Sequence, residues 1–97
     1  MFDLPVETRE NKREYAKFRK KIIKDGFIMM QYSVYSRFCK NKQDAEKHIA
    51  RIKTISPEEG NIRILYITEK QYEDMILILG TKKVNEEIIG KEYTIVI

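Results

Sequence analysis

The 97-residue sequence has a single cysteine, Cys39, a single histidine, His48, and no tryptophan. One cysteine excludes an internal disulfide framework, and together with one histidine it excludes a zinc cluster. The longest apolar run, Met75–Leu79, is far shorter than the roughly 20 residues that a membrane-spanning helix needs. No basic-then-apolar leader stands at the start, so we expect a cytoplasmic protein without membrane contact.

The composition is that of a small folded domain with an unusually charged surface. Apolar residues make up 42% of the chain, near the globular average, whereas charged residues make up 35%, well above it. Six tyrosines and four phenylalanines argue against a disordered chain. A chain of this length supports one core, so we predict a single domain over residues 1–97.

Positive charge is concentrated at one end of the sequence. Residues 1–24 hold eight basic and four acidic residues, and this excess equals the net charge of +4 of the whole chain. A one-sided basic surface indicates a polyanionic partner such as nucleic acid, although a solvated helix face would give the same pattern. The predicted nucleic-acid-binding residues are Arg9, Lys12, Arg13, Lys17, Arg19 and Lys20, with Arg37 in a second small basic cluster.

Helical periodicity predicts two helices. Thr8 is a suitable N-cap for a helix that ends near Asp25, with Gly26 as its stop, and a second helix runs from about Asn41 to Ile55. The positions predicted to face the core are Tyr15, Phe18, Ile22 and Ile23 in the first helix and Ala45, Ile49 and Ile52 in the second.

Aromatic and β-branched runs predict the strands. They are Met1–Leu4, two strands within Phe27–Cys39 that meet near Tyr32, Ile62–Thr68, Met75–Leu79 and Tyr93–Ile97. This order predicts an α/β ferredoxin-like plait, an antiparallel sheet with two helices on one face. Both faces of the strands at 62–68 and 75–79 are apolar, so we expect a homodimer that packs sheet against sheet.

Asp3 is the position most suggestive of chemistry. A carboxylate at the end of a first strand, directly before Pro5, lies at the sheet rim and offers one hard oxygen ligand. Two copies related by a twofold axis would bring two Asp3 side chains together to hold one Mg²⁺, which could activate water against a phosphodiester. The alternative is that Asp3 only organises the turn or caps the helix.

The other candidate residues favour structural roles. Ser33 has no His-Asp partner pattern, so it is expected to form hydrogen bonds within a strand rather than to act as a nucleophile. Tyr32 and Tyr35 are more typical of core residues than of stacking platforms, and His48 and Cys39 of buried packing residues. No glycine-rich phosphate loop or GxSxG motif is present.

Four segments in order form a recognisable pattern: Met1–Pro5 (MFDLP), Tyr15–Lys20 (YAKFRK), Met30–Tyr35 (MQYSVY) and Gly60–Thr68 (GNIRILYIT). With them, the chain resembles the CRISPR-associated protein 2 family, the small subunit of the spacer-acquisition complex, essentially from end to end. The Asp-Leu-Pro and Ser-Val-Tyr-Ser-Arg forms are most similar to members from type II systems.

The resemblance implies a ferredoxin-like homodimer in which a C-terminal strand, about residues 92–97 here, completes the dimer or docks partners. It implies a subunit that binds double-stranded DNA without sequence specificity and bridges dimers of the CRISPR-associated integrase. As the alternative, it implies a magnesium-dependent endonuclease acting on RNA or DNA, with Asp3 as catalytic residue and metal ligand. Met29 stands where some nuclease-like members have a basic residue, which weakens the catalytic role.

Function therefore has competing interpretations at the level of sequence. The leading one is a DNA-binding scaffold in antiviral spacer acquisition, and the second is the enzyme with paired Asp3 carboxylates. A stand-alone messenger-cleaving toxin of similar fold is a third interpretation. A small-molecule regulatory plait is possible from fold alone, but the basic first segment argues against it.

Overall fold

The computed structural model describes residues 1–80 and 92–97. In these residues three helices and six strands follow one another in the order β1-α1-β2-β3-α2-β4-β5-α3-β6. The helices are α1 (Arg9–Lys24), α2 (Lys42–Ile55) and α3 (Glu69–Glu73). The strands are β1 (Phe2–Asp3), β2 (Ile28–Gln31), β3 (Val34–Cys39), β4 (Asn61–Ile62), β5 (Leu65–Thr68) and β6 (Tyr93–Val96).

Both predicted long helices begin and end at their expected caps. The Thr8 hydroxyl accepts a hydrogen bond from the Asn11 amide at 3.0 Å, and the Asn41 side chain accepts one from the Asp44 amide at 2.8 Å. Each such cap contributes about 1 kcal/mol to helix stability. Gly26, with φ of 96°, takes the left-handed conformation that ends α1. Local sequence therefore fixes where the two main helices lie.

All strand pairings among the described residues are antiparallel, as predicted for this α/β class. One sheet has the order β2-β3-β6-β5, and β1 pairs with β4 in a second, short ladder. The two ladders are continuous along β3. The Ile97 amide donates to the Tyr35 carbonyl at 2.7 Å, and the Phe2 amide donates to the Ser33 carbonyl at 3.1 Å. Residues 93–97 and Phe2–Asp3 thus lie end to end beside β3 and together form the central strand position.

The core lies between α1, α2 and one face of the sheet. The Phe2 ring stacks on Tyr35 at 5.7 Å and meets Phe18 edge-on at 5.2 Å. Ile22 is fully buried, but Ile23 is 43% exposed, so its prediction as a core residue was wrong. Consecutive helical residues are about 100° apart, which turns Ile23 away from the sheet when Ile22 faces it.

The predicted strand at Met75–Leu79 is not formed. Thr68 and Gln71 make a capping box that begins α3, and β5 ends there. The residues after α3 extend into solvent, with exposed fractions from 48% at Met75 to 92% at Leu79. On the sheet face opposite α1 and α2, Tyr72 of α3 packs edge-on against Phe38 at 5.1 Å. No helix in the described ranges has the length and apolarity to cross a bilayer.

A partly buried ionic cluster joins the end of α1 to α2. Asp25, the C-cap of α1, contacts His48 Nδ1 at 2.6 Å and Arg51 Nη1 at 2.7 Å. Asp44 lies 3.4 Å from His48 Nε2 on the other side of the ring. His48 is 2% exposed, which confirms its prediction as a buried packing residue, and Cys39 is fully buried, as predicted.

This cluster predicts an acid-sensitive contribution to stability. Burial raises the pKa of Asp25, but hydrogen bonds from His48 and Arg51 outweigh it and hold the pKa below its ordinary 3.8. The pKa of Asp44 is lowered mainly by the Lys40 amide. Because both pKa values are depressed by folding, the stabilisation is present above about pH 4 and is lost as pH falls through the lower folded values.

We expect Asp25→Asn to lower the free energy of unfolding at pH 7 by about 2 kcal/mol, because it removes charge-assisted hydrogen bonds to His48 and Arg51. The variant should also lose stability less steeply than the parent below pH 4. Urea unfolding at several pH values measures both effects. The control is Asp74→Asn, which removes an exposed pair with Lys70 and should change stability by less than about 0.5 kcal/mol. Equal values for the two variants would contradict the role of the cluster.

Candidate nucleic-acid interface

The outward face of α1 carries a row of cations, here called the basic stripe. Its members are Arg9, Arg13, Lys17, Lys20 and Lys24, all exposed and spaced by three or four residues. Such spacing places them on one helix face over about 22 Å. Arg13 contacts Glu10 at 3.7 Å, but both side chains are about two-thirds exposed, so this pair is weak. The stripe therefore keeps most of its positive charge for a partner.

Lys12 and Arg19 lie on the flank of α1 that borders the turn between β2 and β3. Arg19 is held in place there, because its Nε donates a hydrogen bond to the Tyr35 hydroxyl at 2.7 Å. Tyr35 is 1% exposed, so the prediction that it is a core residue is confirmed. Tyr32 is 79% exposed, and the same prediction for it was wrong.

Arg37 lies apart from the basic stripe. It projects from β3 toward the end of α1, where a Cβ atom added to Gly26 would come within 3.0 Å of Arg37 Nε. Its Nη1 donates to the Phe38 carbonyl at 3.1 Å. The half-buried guanidinium thus packs beneath the helix terminus. The structure brings Arg9, Arg13, Lys17 and Lys20 together and leaves Arg37 out of that group.

Asp3 lies on the opposite side of the sheet from the helices. Phe2 points into the core, and neighbouring strand residues point to opposite faces, so Asp3 faces outward and is exposed. It pairs with Asn61 across the β1–β4 ladder, and Met1 and Arg63, two positions along the ladder, are the next pair on the same face. These residues line a shallow cleft of about 300 Å³.

Sequence reasoning missed Asn61 and Arg63. Asn61 offers an amide oxygen beside the Asp3 carboxylate, and Arg63 offers an exposed cation suited to a phosphate group. The alternation of side chains along a strand predicts that Asn61 and Arg63 share one face. Placing that face beside Asp3 also requires the register of the pairing with β1. The cleft thus combines two hard oxygen ligands with one phosphate-binding group.

The donor set fits magnesium only in part within one chain. Among residues 1–80 and 92–97, no group of three or more histidine, cysteine, aspartate or glutamate side chains is placed to hold a metal. Magnesium often binds through one or two carboxylates, with water and substrate phosphate completing its shell. Asp3 with Asn61 meets that lower requirement, and two copies of Asp3 would meet it better.

Comparisons with known proteins agree with the motifs and the fold. The family model described as CRISPR associated protein Cas2 matches residues 1–75. The chain belongs to the Cas2 family. A relative from Ligilactobacillus salivarius, named CRISPR-associated endoribonuclease Cas2, is 52% identical over 97 residues, covering all of this chain and 95% of that protein. The Cas2 membership gives the chain a CRISPR-associated role.

Two further relatives carry the same printed name. The protein from Lacticaseibacillus rhamnosus is 47% identical over 83 residues, and the one from Parvibaculum lavamentivorans is 45% identical over 83 residues. In both cases the match covers 86% of this chain and 82% of the relative. The resemblance seen in the sequence is therefore confirmed, while the assignment to a type II system stays a prediction.

Proposed function

We propose that this Cas2-family chain is a DNA-binding scaffold in spacer acquisition. The observation that carries the proposal is the basic stripe, five exposed cations on one face of α1. Cations arranged in this way neutralise phosphates along a backbone and release counterions, which gives affinity without reading base sequence. A subunit that supports captured DNA needs this kind of contact, because the fragments differ in sequence.

Assembly with a second copy is part of this proposal. The segment Met75–Leu79 is a contiguous apolar surface, with Ile78 and Leu79 each 92% exposed. Exposed apolar patches of this kind mark protein–protein interfaces. A twofold homodimer covers such surfaces and places two basic stripes on one particle. The remaining partner in the proposal is the CRISPR-associated integrase, whose dimers the scaffold bridges on duplex DNA.

The salt dependence of DNA binding tests the scaffold. We expect the affinity of the protein with its integrase for duplex DNA to fall steeply with salt, with log Kd changing by about 0.9 for each tenfold change in salt per phosphate neutralised. Fluorescence anisotropy on duplexes of unrelated sequence measures the slope and the specificity together. An affinity for duplex DNA that does not change with salt concentration would refute the proposal.

A second candidate function is a magnesium-dependent endonuclease centred on Asp3. It is favoured by the cleft that joins Asp3, Asn61 and Arg63, and by the name endoribonuclease carried by the relatives. In this function Asp3 and Asn61 would hold the ion, and Arg63 would bind a non-bridging phosphate oxygen and orient the phosphodiester. The bound ion supplies water activation and charge neutralisation.

Asp3→Asn separates the two functions. We expect it to reduce magnesium-dependent RNA cleavage by about 100-fold, because it removes the charged oxygen ligand. Calorimetric titration with Mn²⁺ should show weaker binding, while duplex DNA affinity stays within about twofold because α1 is untouched. Glu73→Gln, an exposed carboxylate on α3, is the control and should change none of these. Cleavage that survives Asp3→Asn would exclude Asp3 as the ligand, and spacer acquisition that survives it would favour the scaffold.

A further inference from the structure

The turn between β2 and β3 presents one aromatic side chain to solvent. Tyr32 is 79% exposed, by far the most exposed aromatic residue in the part of the chain that the structure describes. The turn is short, since Gln31 pairs with Val34 across it. Ser33 takes a φ of 61°, a left-handed conformation that is unusual for a residue other than glycine. A short turn with this backbone geometry fixes where the Tyr32 side chain leaves the sheet.

The Tyr32 side chain lies next to α1. Tyr15 of that helix is close enough to interact with the Tyr32 hydroxyl, and this interaction raises the pKa of Tyr32. Tyr15 in turn packs against Phe2 at 6.1 Å, which connects it to the core. The short turn thus sets the direction of the Tyr32 side chain, and Tyr15 lies beside it, while most of the ring surface stays in water. Such a ring loses little conformational freedom when a flat ligand stacks on it.

Arg19 is on the same side of α1 as Tyr15, and its orientation is already fixed. Its Nε donates to the hydroxyl of buried Tyr35 at 2.7 Å. Arg19 and Tyr15 are four residues apart on α1 and therefore lie on the same side of the helix. The one hydrogen bond leaves the two terminal amino groups of the guanidinium for an outside acceptor. Arginine presents these groups as a fork that matches phosphate geometry.

We propose that Tyr32 and Arg19 form a subsite for one unpaired nucleotide, whose base stacks on the Tyr32 ring and whose phosphate binds Arg19. The inference rests on the proposed nucleic-acid binding and adds a substrate class to it. Inside a duplex, both faces of a base are covered by its neighbours, so a protein ring can stack only on single strands or at strand ends. The neighbouring Lys12 and basic stripe favour a polyanion over a second copy of this net-positive chain.

The test compares a single-stranded oligonucleotide, a duplex with a single-stranded overhang and a closed circular duplex. Binding is followed by anisotropy, and stacking by the fluorescence of 2-aminopurine in the unpaired segment. We expect Tyr32→Ala to weaken single-strand binding about 10-fold without changing the salt slope, because stacking is not ionic. Tyr32→Phe keeps the ring and should stay within about twofold. Arg19→Gln should reduce the salt slope by about one phosphate contact.

Lys17→Gln, in the basic stripe, is the matched control and should weaken binding to all three nucleic acids. The subsite is overturned if Tyr32→Ala binds the single strand as the parent does, or if Tyr32→Phe loses as much as Tyr32→Ala. It is also overturned if Tyr32→Ala dissociates a dimer in sedimentation without altering 2-aminopurine fluorescence. A parent that binds the single strand through Tyr32 but not the closed duplex would refute the scaffold and leave the subsite standing.

Discussion

Gly60→Ala is expected to lower the free energy of unfolding by about 3 kcal/mol. Gly60 has a φ of 107°, a conformation that residues with a Cβ rarely adopt. An added Cβ would also lie 2.7 Å from Leu4 Cδ2 and 2.8 Å from the Asp3 carbonyl oxygen. Backbone strain and overpacking each cost about 1–3 kcal/mol, and here they act together. Chemical denaturation measures the loss.

Gly80→Ala is the matched control for this effect. Gly80 has a similar φ of 118°, but its nearest neighbour to an added Cβ is Leu77 Cδ1 at an ordinary 3.7 Å. We expect a cost of about 1 kcal/mol from backbone strain alone. The difference between the two losses in unfolding free energy therefore measures the cost of the close contact between Gly60 and the Asp3–Leu4 segment. Similar losses in both would show that β1 moves aside freely, and with it Asp3.

The second large effect concerns the basic stripe. Replacing Arg13, Lys17 and Lys20 together by glutamine is expected to weaken duplex DNA binding roughly 100-fold near 0.15 M salt. Each phosphate contact contributes about 0.9 to the slope of log affinity against log salt. Three lost contacts should therefore reduce the slope by about 2.7. Anisotropy measured at several salt concentrations gives both values.

The control removes the same amount of charge from the other long helix. Lys42, Lys47 and Lys53 are exposed on α2, and their replacement by glutamine leaves the basic stripe intact. If net charge alone attracts DNA, both triple variants will weaken binding equally. A loss confined to the α1 variant places the DNA along α1, and equal losses would refute the stripe as an interface.

Sequence signals were sufficient where the determinant is local. Thr8, Asn41 and Gly26 fix the limits of α1 and α2 through hydrogen bonds and a backbone angle that involve only near neighbours. The concentration of charge on α1 is local in the same sense. The antiparallel α/β class followed from the order of the elements, and the structure bears it out.

Sequence signals failed where the determinant is distant. The apolar run Met75–Leu79 has the composition of a strand. A strand also needs a neighbouring strand to pair with, and composition does not show whether one is within reach. The capping box of Thr68 and Gln71, which ends β5 and begins α3, is the local signal that the sequence does carry at this point. Asn61 joins Asp3 only through the register of β1 with β4. Exposed Tyr32 and buried Tyr35 belong to the same aromatic segment, and only the turn between them separates their environments.

The end-to-end arrangement of residues 93–97 and β1 also bears on protein synthesis. The central position of the sheet joins β1 with residues 93–97, which leave the ribosome well after β1. Until residues 93–97 emerge, the nascent chain holds β3 and β5 without the strand that joins them. Folding of this sheet is therefore completed only after residues 93–97 have been translated, and until then the unpaired edges of β3 and β5 need protection from other chains.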